Sequence, residues 1–372
     1  MLEWGAGVMF TSNMADWTEN LRFAQRSLET EFDFHPVDLT DCPVFLTVAL
    51  PRDAHATGLK PRIPSGRGLS PALAMSSAVG EAVELTASLA QNAAPEANDL
   101  EMRDGLAHVA LGNAITGQRT FIPAQDVYLD WAAVHGERPV ADANSNGCAA
   151  GLTQQSAMLQ ALLEIVERDA LATWWYGRQR RPHLPLAILD DVEPRLSWWL
   201  SGRDRRTLLV DVSPSAAAYV VAAVSANSAG RHIAIGSAAG SSLRGAAIRA
   251  ITEMIQTEVA MDSASTHSDQ DFTTWIDGAS LDMVQFQPVG QSDLHRLPRV
   301  HALERVAQGG HSVLVADITR QQYWLHVMRV IVPGYSAMQG RFNASRILDF
   351  ASLHPEFGGS REVADFEKLE PF

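Results

Sequence analysis

The sequence predicts a mixed fold of helix and sheet, α/β or α+β, built as one interwoven domain. Three observations lead there. One helix-like pattern recurs three times at wide spacing, strand-like runs lie between and after the copies, and no linker or low-complexity tract divides the chain. A length of 372 residues alone would allow two or three domains of about 150 residues each. Repeats spread across most of the chain argue instead for a single unit.

Each copy of the pattern begins with glycine, any residue, then Ser or Thr. Ala follows four and eight places on, Glu at eleven, and Glu or Gln at fourteen. The first copy is Gly68, Ser70, Ala74, Ala78, Glu81 and Glu84. The second is Gly151, Thr153, Ala157, Ala161, Glu164 and Glu167, and the third is Gly240, Ser242, Ala246, Ala250, Glu253 and Gln256. Ser70, Thr153 and Ser242 are good helix N-caps, because a hydroxyl accepts from the free amides of the first turn. Pro71 fits the first helical position, where a missing N–H costs nothing. Bulky apolar residues recur at helical spacing: Met75, Val79 and Val83; Leu162, Ile165 and Val166; Ile248, Ile251 and Ile255. They define a face expected to pack on a sheet, which leaves the alanines and the acidic pair on the opposite face.

That opposite face has two readings. It is the solvated side of an amphipathic helix, or it lines a cleft. Small residues replace the mixed Lys and Glu of an exposed helix. Carboxylates three apart repel by roughly 0.2–0.5 kcal/mol, and late in a helix they oppose its dipole. A bound cation reverses both costs. Hard oxygen ligands from several helices suit Mg²⁺, which keeps waters and phosphate oxygens as its other ligands. A shared metal–phosphate cleft is therefore the preferred reading. Strand-like segments run over Thr207–Val212, Ala218–Val224, His232–Ile235, Ser312–Ile318 and His326–Val332.

Composition narrows the function. A net charge of −14 argues against nucleic acid and against anionic lipid as partners. Cys42 and Cys148 have no paired metal spacing and cannot staple so long a chain, which fits a reducing compartment. Met1–Trp4 shows no basic leader, and the most apolar run, Ala216–Val224, is too short to span a bilayer. The two lysines, Lys60 and Lys368, follow no glycine-rich loop, so a P-loop is excluded; Gly66-Arg67-Gly68 lacks the third glycine of a dinucleotide fingerprint. Trp174-Trp175-Tyr176 reads as core, and Arg178, Arg180 and Arg181 read as solvated surface. No histidine stands in a ligand spacing.

Read in full, Ser145-Asn146-Gly147-Cys148-Ala149-Ala150-Gly151-Leu152-Thr153, followed by Glu164-Ile165-Val166-Glu167-Arg168-Asp169-Ala170, closely resembles the signature of the YcaO family. Gly66 to Ser70, Ser77 and Gly80-Glu81-Ala82-Val83-Glu84 resemble that family's first nucleotide motif, and Glu253-Met254-Ile255-Gln256 the third. Asp317-Ile318-Thr319-Arg320 and Arg329 to Gly334 resemble its C-terminal strands. The resemblance covers about residues 60 to 340.

The resemblance implies an α+β fold, a single domain with three strand–helix units around a nucleotide cleft. It implies ATP and Mg²⁺ as cofactors in a site without a P-loop. Glu81, Glu84, Glu164 and Glu167 become Mg²⁺ ligands; Ser77, Arg168 and Gln256 become nucleotide contacts. For Arg168 the alternative is a salt bridge to Glu164. The implied activity is ATP-dependent cyclodehydration of Cys, Ser or Thr in a ribosomal precursor peptide to thiazoline or oxazoline. The same site chemistry would make thioamides or amidines. The ending Leu369-Glu370-Pro371-Phe372 has the flavour of tails whose terminal carboxylate reaches the active site, which marks Pro371 and Phe372 as catalytic. The organisation expected is an N-terminal segment 1–60 packed on the core, a catalytic domain 60–340 and a tail 341–372. Residues 1–60 look partly stranded and too few to capture a leader peptide, so a separate E1-like, leader-binding subunit is an expected partner. A flavin-dependent dehydrogenase joins if azolines are oxidised, and the setting is cytoplasmic. Leu85 stands where Arg is usual, Leu152 where Asn is, Ser156 where Glu is common, and Glu258 where Arg often follows. These departures leave a second reading, a non-catalytic scaffold subunit.

Overall fold

The computed structural model describes residues 14–59, 62–93, 95, 99–140, 144–214, 218–264, 270–290, 302–336 and 343–371. Its first part runs α1 (Met14–Leu28), β1 (Phe32–Val37), β2 (Phe45–Pro51), β3 (Ser65–Gly68), α2 (Pro71–Ser88), β4 (Leu100–Arg103), β5 (Leu106–Asn113), β6 (Arg119–Pro123), α3 (Ala124–Val127) and α4 (Trp131–His135). The middle part is β7 (Cys148–Gly151), α5 (Gln154–Tyr176), β8 (His183–Leu184), α6 (Pro194–Gly202), β9 (Arg205–Asp211), β10 (Tyr219–Asn227), β11 (Ala234–Gly240) and α7 (Leu243–Ala264). The last part is α8 (Gln270–Gly278), α9 (Ala302–Gln308), β12 (Leu314–Asp317), β13 (His326–Ile331) and α10 (Ala344–Leu353).

The strands form three sheets, ordered β1-β2-β3, β4-β5-β12-β13-β7 with β6 also on β5, and β11-β10-β9-β8. All the pairings are antiparallel. In each sheet the strand that leads into a repeated helix, β3, β7 or β11, lies at an edge. An edge strand presents unpaired amides that need partners. The repeat therefore delivers three edge strands, each followed by a helix that folds back over it.

The helix starts follow the expected chemistry. The Ser70 hydroxyl accepts from Leu73 N–H (3.2 Å), with Pro71 in the first turn of α2. Thr153 and Ser156 form a reciprocal capping box on α5. Ser242 accepts from Gly245 N–H at 3.4 Å.

The helix face that meets the strand differs from expectation. Ala74, Ala78, Ala157, Ala161, Ala246 and Ala250 are all fully buried. A Cβ added at Gly66 would sit 2.1 Å from both the Ala74 carbonyl oxygen and the Ala78 nitrogen, and one at Gly236 2.0 Å from the Met254 nitrogen. A Cβ at Gly151 would come within 2.7 Å of the Ala157 nitrogen. Small residues on both partners thus let backbone lie against backbone, and the alanine face is the seat on the strand rather than a solvated side. The bulky residues on the other face, such as Val83, Leu162 and Ile251, enter the cores, so each repeated helix is buried on both sides.

Two apolar clusters fill the interior. One gathers Trp174, Trp175, Tyr176, Trp275 and Phe286 with the β9–β11 sheet; the other joins Phe32, Val79, Val83, Leu111, Trp131 and Val327. The Trp174–Tyr176 run is core, as read from sequence. Three expectations need correction. The strand placed at His232–Ile235 is β11, Ala234–Gly240; its Gly-Ser-Ala-Ala-Gly end carries no strand propensity and is extended because α7 packs so closely on it. The partly stranded segment 1–60 also holds helix α1, which no sequence pattern marks. Arg181 is buried, with its guanidinium 4.1 Å from the Phe357 ring centroid, because the chain beyond α10 covers it; Arg178 and Arg180 remain exposed. Among the described residues no helix is long and apolar enough to cross a membrane.

Candidate functional site

The three strand–helix units close on one another through their acidic residues. The first acid of each pair caps amides of its own unit. Glu81 accepts from Ser65 N–H (2.8 Å), Glu164 from Gly147 N–H (3.1 Å) and Glu253 from Ser237 N–H (3.3 Å). The second position reaches the next unit. Glu84 accepts from Ala150 N–H (2.7 Å), and Glu167 from Ala239 N–H (2.9 Å) and the Ser237 hydroxyl (2.7 Å). The third helix reaches back to the first: the Gln256 amide donates to the Ser65 hydroxyl at 2.6 Å. The result is a cyclic ring, first to second to third to first. Charge-assisted bonds of this kind are roughly twice as strong as neutral ones, and here they also satisfy edge amides.

Three guanidinium groups face the ring. Arg67 donates to Glu253 (2.9 Å) and to Gln256 (3.0 Å) and lies 4.0 Å from Glu81. Arg168 lies 3.7 Å from Glu164 and 3.6 Å from Glu167, so it faces both acids of its own helix at long range; its Nε is buried without a hydrogen-bond partner. Arg249 donates to the Ala239 carbonyl. Burial works against the charge of Arg168, yet Glu167, Glu164 and Glu253 outweigh it and hold the group protonated.

Electrostatics sets the acids under tension. Burial pushes Glu164 up to about 7, against the pull of Arg168 and with added repulsion from Glu167. Burial raises Glu84 strongly; the Ala150 N–H opposes this, and Glu81 and Glu164 add repulsion. Burial raises Glu81 as well, opposed chiefly by Arg67, although its side chain keeps 40% of its surface open. Three carboxylates whose charge burial and neighbouring acids disfavour, each with an oxygen not used by a backbone amide, are a donor set short of a cation. Among the described residues no three His, Cys, Asp or Glu side chains meet closely enough to hold a metal by themselves. That is compatible with Mg²⁺, which takes only one or two carboxylates beside water and phosphate oxygens. The residues present therefore fit Mg²⁺ with a phosphate-bearing ligand. Glu81, Glu84, Glu164 and Glu167 would share the metal, one or two of them directly and the others through its waters, and Arg168, with an unmatched buried N–H, would meet the phosphates.

Next to the ring lies a cleft of ≈ 250 Å³, lined among others by Asn146, Arg168, Trp175, Ser237, Glu253 and Pro371. The C-terminal segment enters it along the end of α5. The Tyr176 carbonyl accepts from Glu367 N–H (3.0 Å), the Trp175 indole donates to the Leu369 carbonyl (2.6 Å), and the Gln285 amide donates to both the Trp175 carbonyl (3.1 Å) and Glu367 (3.2 Å). Pro371 thus sits with Arg168 and Glu253 in one cleft; Phe372 lies outside the described residues. Ser77 is half-buried on α2, one turn ahead of Glu81.

Sequence reasoning passed over two members of the ring. Glu253 stood in the third copy without a role. Arg67, between two glycines of the first nucleotide motif, carries no role of its own in the sequence reading. Its register one place before the repeat glycine, where the other copies have Ala150 and Ala239, was the available signal. The four departures have structural uses. Leu85 and Leu152 pack against the apolar cluster around Val83. Ser156 completes the α5 capping box, and Glu258 pairs with Arg203 (2.8 Å) and Arg205 (3.2 Å).

Comparison with solved structures places the fold. A heterocyclase in complex with substrate and cofactor superposes with TM-score 0.78 at 21% identity, covering 95% of this chain and 57% of that one. YcaO from Methanopyrus kandleri, bound with AMPPCP and Mg²⁺, gives TM-score 0.65 at 22% identity over 86% of this chain and 91% of that one. The E. coli microcin synthetase McbBCD complex gives 0.60 at 13% identity over 81% and 86%. The chain thus spans little more than half the length of the first of these. No curated protein matches it in sequence. The family model described as YcaO cyclodehydratase, ATP- and Mg²⁺-binding, matches residues 90–336. That span is about two thirds of the chain and takes in the second and third units of the ring, so the chain belongs to the YcaO family.

Proposed function

We propose that the protein is an ATP- and Mg²⁺-dependent cyclodehydratase that forms azolines from Cys, Ser or Thr of a ribosomal precursor peptide. The observation that carries this is the cyclic acidic ring opening beside a cleft that holds both Arg168 and Pro371. When bound, MgATP would supply the γ-phosphoryl group that the amide oxygen accepts, which makes that oxygen a good leaving group. The substrate side chain attacks the preceding carbonyl, and the oxygen departs as phosphate. The chain's own part is positioning and charge stabilisation. Glu81, Glu84, Glu164 and Glu167 would hold Mg²⁺, one or two of them directly and the others through its waters; Ser77 and Gln256 would line the nucleotide. Arg168 stabilises charge on the phosphates. Pro371 and Phe372 are the part of the tail that serves the attacking side chain, whose proton leaves on that side of the cleft. The buried Trp174–Trp175 wall keeps bulk water from that side of the cleft.

In this reading 60–340 is the catalytic unit, 1–60 a supporting segment and 341–372 a catalytic tail. A leader-binding, E1-like partner delivers the peptide in the cytoplasm, and a flavin-dependent dehydrogenase acts afterwards where azoles are made. Mass spectrometry of the precursor peptide after co-expression tests the assignment. Each ring formed removes about 18 Da, whereas thioamide formation adds about 16 Da. A peptide left unmodified with every partner present would remove the enzymatic reading and leave the scaffold one.

A further inference from the structure

The ring is not symmetric, and its asymmetry lies in one residue pair. In the first and second helices the later acidic position is Glu84 or Glu167, and it meets the backbone N–H of an alanine on the next strand, Ala150 or Ala239. In the third helix that position is Gln256, and the matching strand position is Arg67. Here the contact passes through the side chain: the Arg67 guanidinium donates to the Gln256 carbonyl oxygen at 3.0 Å. The same guanidinium donates to Glu253 at 2.9 Å and lies 4.0 Å from Glu81. One seam has therefore lost a carboxylate and gained a fixed positive charge.

We infer that Arg67 is a resident cation, which fills the seam between the third and first units in place of a metal and thereby confines Mg²⁺ to the carboxylates of the first and second units. Glu253 is the residue it withholds. With Arg67 in place, Glu253 has a charge partner at hydrogen-bonding distance and no need of a metal. Glu84 and Glu164 have only backbone amides at that distance, and Arg168 stands off from Glu164 at 3.7 Å. A cation entering the ring gains most where no side-chain cation is already docked. The pairing also defines which way a bound nucleotide lies, because its metal-bearing phosphates must face the first–second side. This inference rests on the reading of the ring as a Mg²⁺ site.

Equilibrium dialysis of the full chain against Mg²⁺ alone, without nucleotide, tests it. The wild type, Arg67→Lys and Arg67→Gln are compared. Arg67→Gln keeps a polar contact with Gln256 but removes the charge. It is expected to hold one more Mg²⁺ per chain than the wild type, or to bind its metal at least about fivefold more tightly. Arg67→Lys is expected to match the wild type. A thermal melt keeps the test informative if Arg67→Gln folds poorly: its midpoint should fall in metal-free buffer and rise with Mg²⁺ by more than the wild type's. Equal stoichiometry and affinity in wild type and Arg67→Gln, with a midpoint loss that Mg²⁺ does not repair, would make Arg67 a merely structural ion pair. A wild type that binds no Mg²⁺ even beside a non-hydrolysable ATP analogue would overturn the site reading itself.

Discussion

Glu84→Gln and Glu164→Gln are expected to lower turnover by at least about a hundredfold while leaving the fold intact. Each carboxylate gives one oxygen to a backbone amide, Ala150 N–H for Glu84 and Gly147 N–H for Glu164. A Gln carbonyl oxygen replaces that acceptor in nearly the same volume. What disappears is the charge, which burial and mutual repulsion already disfavour. Thermal midpoints should therefore hold or rise slightly. Glu167→Gln behaves differently. Both of its oxygens are in use, one for Ser237 and one for Ala239. An amide there turns one donor against another, at a cost of about 1–3 kcal/mol. Melting and single-turnover rates of the variants check both statements. Wild-type turnover in all of them would return the acids to a purely structural role.

Deleting Pro371 and Phe372 should cost about 10²–10⁴ in kcat, with no comparable change in stability or in nucleotide affinity. The anchors of the tail lie upstream of the cut. The Leu369 carbonyl stays on the Trp175 indole, Glu367 stays on Gln285, and Phe366 stays buried. The truncated chain should still melt as the full one does. Rate loss without affinity loss identifies a group that acts on reacting atoms rather than on ground-state binding. If kcat survives the deletion, the base for the attacking side chain lies elsewhere in the cleft. Should nucleotide affinity collapse along with kcat, the tail serves binding rather than proton transfer.

The repeat made much of this site readable in advance. Caps at Ser70, Thr153 and Ser242 fixed the helix starts, and the acidic pairs marked the residues that meet. The small-residue face was misplaced because periodicity separates large from small but does not say which side lies against backbone. Ala74 and Ala78 look like a polar-side filler until Gly66 is seen opposite them; the strand glycine and the helix alanines have to be read together. Strand β11 was clipped for a related reason. Its end is all small residues, so tertiary contact rather than propensity extends it. Arg67 escaped notice because its partners, Glu253 and Gln256, are about half the chain away, and only the closure of the third unit on the first brings them within reach. The tail's route along α5 depends likewise on single long-range bonds, such as Trp175 to Leu369, that no local pattern announces.

The most direct test of the central claim is a calorimetric titration of the purified chain with a non-hydrolysable ATP analogue at millimolar Mg²⁺. Saturable binding is expected, and it should disappear on chelation of the metal and in Glu84→Gln. Binding that persists unchanged with EDTA, or none at all even beside the peptide-delivering partner, would contradict a Mg²⁺–ATP site in the acidic ring.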